Sequence, residues 1–165
     1  FRAAAAQAPG GRFLLGTDDL GRDVASRLLH GTRTSLAAAA AATGIMLLLA
    51  LVVGAASALG GGVVDAVLTT LTELTLAVPW VFLLLALRAA LPLDVGPAAA
   101  FALVALLLGA IGWGTPARLV RGVVRQTLGT DYVAAARAAG ATPLHLATWH
   151  VWRGLRPLLA AQALW

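Results

Sequence analysis

Few side chains in this sequence can do chemistry, because only 12% of its residues are charged and 60% are hydrophobic. Glu73 lies inside an apolar run, where a carboxylate is costly unless it faces a cavity, finds a partner or takes up a proton. It reads equally as a pathway group or as a polar contact between helices near a membrane surface. Pro79, in the same run, removes a backbone donor and kinks a helix, which either widens a path or is merely tolerated. His145 and His150 are five residues apart, not the four that would align two ligands on one helical face, and no nearby carboxylate completes a metal set. With no Cys there is neither a disulfide framework nor a thiolate site. A phosphate-cradling Gly-rich loop, a His-Glu-x-x-His helix and a Gly-x-Ser-x-Gly elbow are all missing, and Gly60-Gly61-Gly62 lacks the Lys that would follow in a phosphate loop. No catalytic residue, no metal site and no bound cofactor are therefore expected; the three glycines turn the chain.

A mechanical role suits the remaining polar residues better. Arg118, Arg121 and Arg125 recur at three and four residues and make one positive helical face, which meets lipid headgroups or a partner. Beyond it, Asp131 to Pro143 reads as a short helix, a stop and a new helix start. Alanine supplies helix propensity, Gly140 ends the helix in left-handed geometry, Thr142 caps the next one and Pro143 fits its first turn. Two helices meeting at an angle make a compact knob, with Arg137 placed either to pair with a partner's carboxylate or to stabilise its own helix end.

The elements that must carry these groups are membrane helices. A mean hydropathy of +0.88 implies more apolar surface than a water-soluble domain of this length can hide. Backbone groups in lipid need internal partners, and no long period-two alternation argues for a barrel, so the class is an all-α, polytopic transmembrane bundle. Spans are expected at Ser35–Leu59, from Asp65 to about Leu87, and at Val95–Ala117, with Leu91 to Asp94 as a short connection and a further span beginning at Leu155. Trp149 and Trp152 mark an interface. The chain opens on Phe1 in a polar segment, without the pattern of a signal peptide, and ends on Trp165 in an apolar run, so a fragment lacking its first and last spans is expected. All twelve basic residues are Arg, spread around the apolar spans and not in one run, which favours lipid and protein partners over nucleic acid.

The knob resembles the EAA loop by which membrane subunits of binding-protein-dependent ABC importers insert a coupling helix into their ATPase. Asp131, Tyr132 and Val133 stand where that pattern has an acidic residue, Tyr and Val; Ala135, Ala136 and Arg137 match its Ala-Ala-Arg, and Gly140 its glycine. Ala134 occupies the place of the usual glutamate, and Arg153 that of the proline in the His-Ile-Leu-Pro turn that starts at His150. A second stretch, with Gly16, Thr17, Asp18, Gly21, Arg22 and Asp23 followed by Arg27, Gly31 and Arg33, resembles the loop ahead of the second transmembrane helix in C-type permeases of dipeptide, oligopeptide and nickel importers. On physical grounds alone this stretch reads first as a solvated loop with ordinary ion pairs, and second as a loop that charge-assisted hydrogen bonds fix against a partner. Gly62 and Asp65, Glu73 in place of an Asp ahead of Pro79, Gly112-Trp113 and Ala117 to Gly122 extend the likeness along the chain.

The resemblance implies a type I importer permease subunit that does no chemistry itself. Its partners would be a second permease in a heterodimer, two ATPase subunits that bind ATP and magnesium, an extracytoplasmic solute-binding protein and membrane lipid. It implies a multi-pass protein of the bacterial inner membrane. Charge bias gives no orientation, since the five Arg before residue 35 lie an odd number of spans from Arg118, Arg121, Arg125 and Arg137. The resemblance places the knob in the cytoplasm, making 1–34 an extracytoplasmic segment and 35–165 a partial permease domain with its coupling loop at 131–152. Peptide is favoured as the solute over nickel, and the rival readings are a membrane scaffold and a degenerate permease.

Overall fold

The computed structural model describes residues 9–10, 13–90, 96–142 and 145–163. Among them the extended elements are all helices: α1 Val24–Gly60, α2 Gly62–Ala77, α3 Trp80–Ala90, α4 Pro97–Gly112, α5 Gly114–Leu128 and α6 Asp131–Ala138, then a π-helical turn Leu146–Val151 and α7 Trp152–Ala163. Residues 1–40 and 41–165 form two compact units. The expected connection from Leu91 to Asp94 lies outside the described residues.

Helix α1 starts eleven residues before the span expected from Ser35, so the last residues of the 1–34 segment are already helical. The Asp23 carboxylate accepts a hydrogen bond from the Ala25 N–H at 3.1 Å and so caps the helix. Polar side chains in its first turns are satisfied on the helix itself, with the Thr34 hydroxyl donating to the His30 carbonyl at 2.9 Å. At a rise of about 1.5 Å per residue the helix is about 55 Å long, more than a hydrocarbon core requires. Only 11% of its most apolar window is buried, and it alone among the described helices is long and apolar enough to cross a membrane by itself.

The second expected span is two helices. Val78 is extended (φ −78°, ψ 122°), as a residue before proline tends to be, and Pro79 has no N–H with which to continue the ladder. The Pro79 carbonyl accepts the Phe82 N–H at 3.0 Å and so starts α3. Neither 16 nor 11 residues reaches the roughly 20 needed to span. The third expected span, whose first residue Val95 lies outside the described residues, bends as well: α4 and α5 meet at 47° across Trp113. Those two helices together could make a second crossing.

Helix α5 is the centre of the packing. Val120 and Val124, four residues apart, form a core with Val151 and Leu155, flanked by Leu51 and Ala58 of α1. One turn earlier Ala117 joins Trp113 and Ala50 in a second core. Gly54 lets α1 approach: a Cβ there would lie 2.5 Å from the Ala117 carbonyl oxygen and 2.8 Å from the Val120 Cβ. Outside these contacts large apolar side chains such as Leu48, Val52, Val67, Leu74, Phe82 and Leu85 are exposed, a surface meant for lipid or other helices.

Candidate functional site

Three groups of polar residues are assembled by this fold. The first is a clasp on Asp65, in the opening turn of α2. Arg121 on α5 donates from Nε to Oδ1 at 2.7 Å and from Nη2 to Oδ2 at 2.8 Å, a bidentate geometry. Arg125, one turn on, adds a bond from Nη2 to Oδ2 at 2.6 Å, and the Ser57 hydroxyl of α1 donates to Oδ1 at 2.6 Å. One carboxylate thus ties three helices together. The arginine face read as meeting lipid headgroups or a partner is engaged within the chain at half-buried Arg121 and at exposed Arg125; Arg118 alone of the three has no part in the clasp. A signal for this was present in the sequence: Asp65 follows a long uncharged run, and an acid so isolated in apolar sequence needs a cation.

Beside the clasp lies a polar recess of about 240 Å³, lined among others by Ser57, Thr69, Thr72, Glu73, Arg118 and Arg121. Glu73, on its lining, is exposed. The Thr69 hydroxyl is buried with no hydrogen-bond partner among the described residues, while that of Thr72 donates to the Leu68 carbonyl at 2.7 Å. Pro79 is not brought here. Its break borders a more apolar recess of about 290 Å³ lined by residues including Val78, Trp80 and Leu108.

The knob is the second group. Asp131 sits in the first turn of α6, where a negative charge suits the helix dipole. Val133 is 0% exposed and anchors the helix, while Tyr132, Ala134 and Ala135 on its other faces are exposed and Ala136 is half-buried. At the end the Ala141 N–H reaches back to the Ala136 carbonyl at 2.9 Å, with Gly140 at φ +89°, which is a Schellman stop. Thr142 accepts the His145 N–H on its hydroxyl at 3.3 Å. The chain then enters the π-helical turn, with the His145 ring stacked on Trp149 at 6.2 Å. Pro143 and the side chains of Arg137 and His150 lie outside the described residues.

The third group lies in the first compact unit. Asp18 accepts the N–H groups of Arg22 at 2.9 Å and Leu20 at 3.0 Å on Oδ1, and Arg27 on Oδ2. The Arg22 N–H above all, with that of Leu20 and the Arg27 guanidinium behind it, holds its carboxyl below the usual carboxylate range against the opposing cost of desolvation. The Asp18 N–H donates to the Arg22 carbonyl at 2.9 Å, Thr17 bridges to Asp23, and Gly16 and Gly21 both take φ 74°. Six of the loop residues singled out in the sequence therefore form one clip closed by Arg27. Gly31 and Arg33 stand apart from it, exposed on α1.

Residues 46–165 match the family model described as binding-protein-dependent transport system inner membrane component. The probable D,D-dipeptide transport system permease protein DdpC of Escherichia coli K12 is 35% identical over 94% of this chain and 50% of its own length. The dipeptide transport system permease protein DppC of the same strain is 43% identical over 78% of this chain and 41% of its own. The oligopeptide transport system permease protein OppC of Bacillus subtilis 168 is 31% identical over 82% of this chain and 43% of its own. The chain spans about half the length of the first of these relatives, and less of the others.

Proposed function

We propose a function from one premise: this chain belongs to the family of binding-protein-dependent transport system inner membrane components. It is a membrane-spanning permease subunit of an ATP-binding cassette importer, of the C type, and its solute is a peptide. A second permease completes the pathway, a binding protein delivers solute from outside, and two ATPase subunits hold ATP and magnesium. The protein lies in the bacterial inner membrane as a multi-pass subunit with α6 on the cytoplasmic side and the Asp18 clip outside.

The observation that carries this reading is the build of α6. It is fixed to the bundle by one fully buried side chain, Val133, and ended by a Schellman stop at Gly140, and exposed Ala134 and Ala135 leave it a small-residue surface that a groove can take. Such a helix transmits force only if it is rigid at both ends. ATP closure favours one arrangement of the permease helices by the difference in free energy that α6 carries to them. Asp131, Tyr132, Ala135, Ala136 and Arg137 would contact the ATPase, and Thr142, Pro143 and His150 would hold the return of the chain. Glu73, in its recess, is placed to line or border the path.

Gly140→Val tests this. A Cβ at Gly140 meets nothing within 4 Å, so the variant acts on the backbone, by about 1–2 kcal/mol for an L-residue held at positive φ. Membrane insertion is expected to persist while peptide uptake per ATP hydrolysed falls severalfold in the assembled transporter, and Gly140→Asn, which tolerates that φ, is expected to retain more coupling. Wild-type coupling in Gly140→Val would refute the role of α6. Ala134 and Arg153 favour one rival, a degenerate permease, for which the wild-type chain would bind ATPases and import nothing. Nickel uptake in place of peptide uptake would keep the family and change the solute.

A further inference from the structure

The π-helical turn and the first turns of α7 bring together four side chains that the transport reading does not use. Trp149, Trp152, Arg153 and Arg156 follow one another at helical spacings and line an open recess of about 390 Å³. Trp149 and Arg153 carry it on into a neighbouring recess of about 500 Å³ that also touches Thr127, Tyr132 and Gly154. Trp149 is 66% and Trp152 46% exposed, and both arginines are exposed. Stacking of His145 on Trp149 holds one wall in place.

Charge decides what fits. Among the described residues the ion pairs involve neither Arg153 nor Arg156. Two exposed guanidinium groups in no ion pair among the described residues, each a planar fork of donors, match phosphate oxygens. Two exposed indoles beside them have the composition of the membrane–water boundary, where a ring sits among headgroups and its N–H stays wet. The chain then becomes apolar from Leu158, as expected where a helix passes from headgroups into hydrocarbon. We propose that this recess binds the phosphate headgroup of an anionic phospholipid, with Arg153 and Arg156 on the phosphate and Trp149 and Trp152 against the glycerol and upper acyl region. The proposal rests on the membrane placement of the family and not on the identity of the solute.

The test uses the full-length protein, purified with its partners and placed in lipid nanodiscs of phosphatidylcholine with about 30 mol% phosphatidylglycerol, enough to give an anionic surface. Lipid that stays bound after gentle detergent extraction is counted by native mass spectrometry. Wild type is expected to retain phosphatidylglycerol in preference to phosphatidylcholine, and R153Q/R156Q to lose about 25-fold of that preference, at about fivefold for each basic side chain near an anionic surface. R153K/R156K, which keeps the charge and loses the fork, is expected to keep most of it. Should the double glutamine variant fail to insert, R153Q and R156Q singly carry the test, each with about a fivefold loss. Unchanged retention in the glutamine variants overturns the proposal. So does unchanged retention accompanied by loss of the copurifying ATPase, which would assign the arginines to a partner protein. Release of the lipid by millimolar inorganic phosphate would mark a free-phosphate site and overturn it as well.

Discussion

Two glycines in the same helix should respond to the same substitution with opposite signs. At Gly54 an added Cβ would lie 2.5 Å from the Ala117 carbonyl oxygen, 2.8 Å from Val120 Cβ and 2.9 Å from its Cγ1. Neither neighbour yields easily: one is helix backbone, and Val120 is a β-branched residue with 0% exposure. Restoring ordinary contact requires α1 and α5 to part by about 1 Å, which strains the core shared by Val120, Val124 and Leu51 and costs about 1–3 kcal/mol. The better helix propensity of alanine returns about 1 kcal/mol. Gly54→Ala is therefore expected to destabilise by about 1 kcal/mol, and Gly54→Val by more, because a branched side chain adds bulk and regains little propensity. At Gly44, ten residues earlier, a Cβ meets nothing within 4 Å, so Gly44→Ala has only the propensity term and should stabilise by about 0.5–1 kcal/mol. The assay is denaturation of the full-length protein in mixed micelles followed by circular dichroism, with wild type and each variant in parallel. Equal shifts of the same sign at both positions would refute the close approach of α1 and α5 on which the fold rests.

The clasp on Asp65 should be ordered by geometry: Asp65→Asn and Arg121→Gln lower the unfolding midpoint more than Arg125→Gln, because Arg121 makes two bonds and is the less exposed of the two arginines. An Arg125→Gln variant as damaging as Arg121→Gln would contradict this ranking. In the N-terminal clip, the folded-state pKa of Asp18 lies below its ordinary value of 3.8, so its contribution is complete above that pH and fades as the pH falls through the ordinary value toward the folded one. Amide protection of Leu20 and Arg22 should thus be higher in wild type than in Asp18→Asn at neutral pH and converge with it in acid; a gap that persisted in acid would show that another group closes the turn.

Helical class was legible because transfer of apolar side chains and hydrogen-bonding of the backbone in lipid leave few alternatives. Direction was not. Hydropathy reports how much free energy a run gains by leaving water, and says nothing of where its axis turns, so the run from Asp65 to Leu87 and the run ending at Ala117 each read as one span although they break at Val78 and Trp113. Pro79 was visible as a disturbance, but whether it kinks or ends a helix depends on what packs beside it. Local signals fared better: the spacing of alanines, Gly140 and Thr142 carried the knob's stop and restart, since capping is settled within a few residues. The partner of Asp65 lay 56 residues away on α5, beyond any local pattern. Its isolation in apolar sequence was the one clue, and it pointed to the need for a cation without saying which.

The departure at Ala134 acts on one link of the chain from sequence to function. Ala134 is exposed on α6, beside but not on the face that carries fully buried Val133. An alanine there leaves no cavity, removes no hydrogen bond of the described fold and is a better helix former than the glutamate it replaces. Under the proposed function, whatever the change costs is therefore felt at the surface α6 presents to the ATPase and not in the folding of this chain. Motion imposed on α6 reaches α5 through the short Gly129–Thr130 turn, where the Gly129 N–H is held by the Arg125 carbonyl at 3.1 Å and the Thr130 hydroxyl by that of Thr127 at 2.6 Å. From α5 it meets two different constraints: the apolar contact of Val120 with α1, and the ion pairs of Arg121 and Arg125 with α2. The first resists separation, because it buries apolar surface in a close fit at Gly54. The second fixes register, because a bidentate pair tolerates little displacement. Under the proposed function, a weaker grip at Ala134 would lower the force delivered to α5 while leaving intact the contacts by which α5 holds α1 and α2.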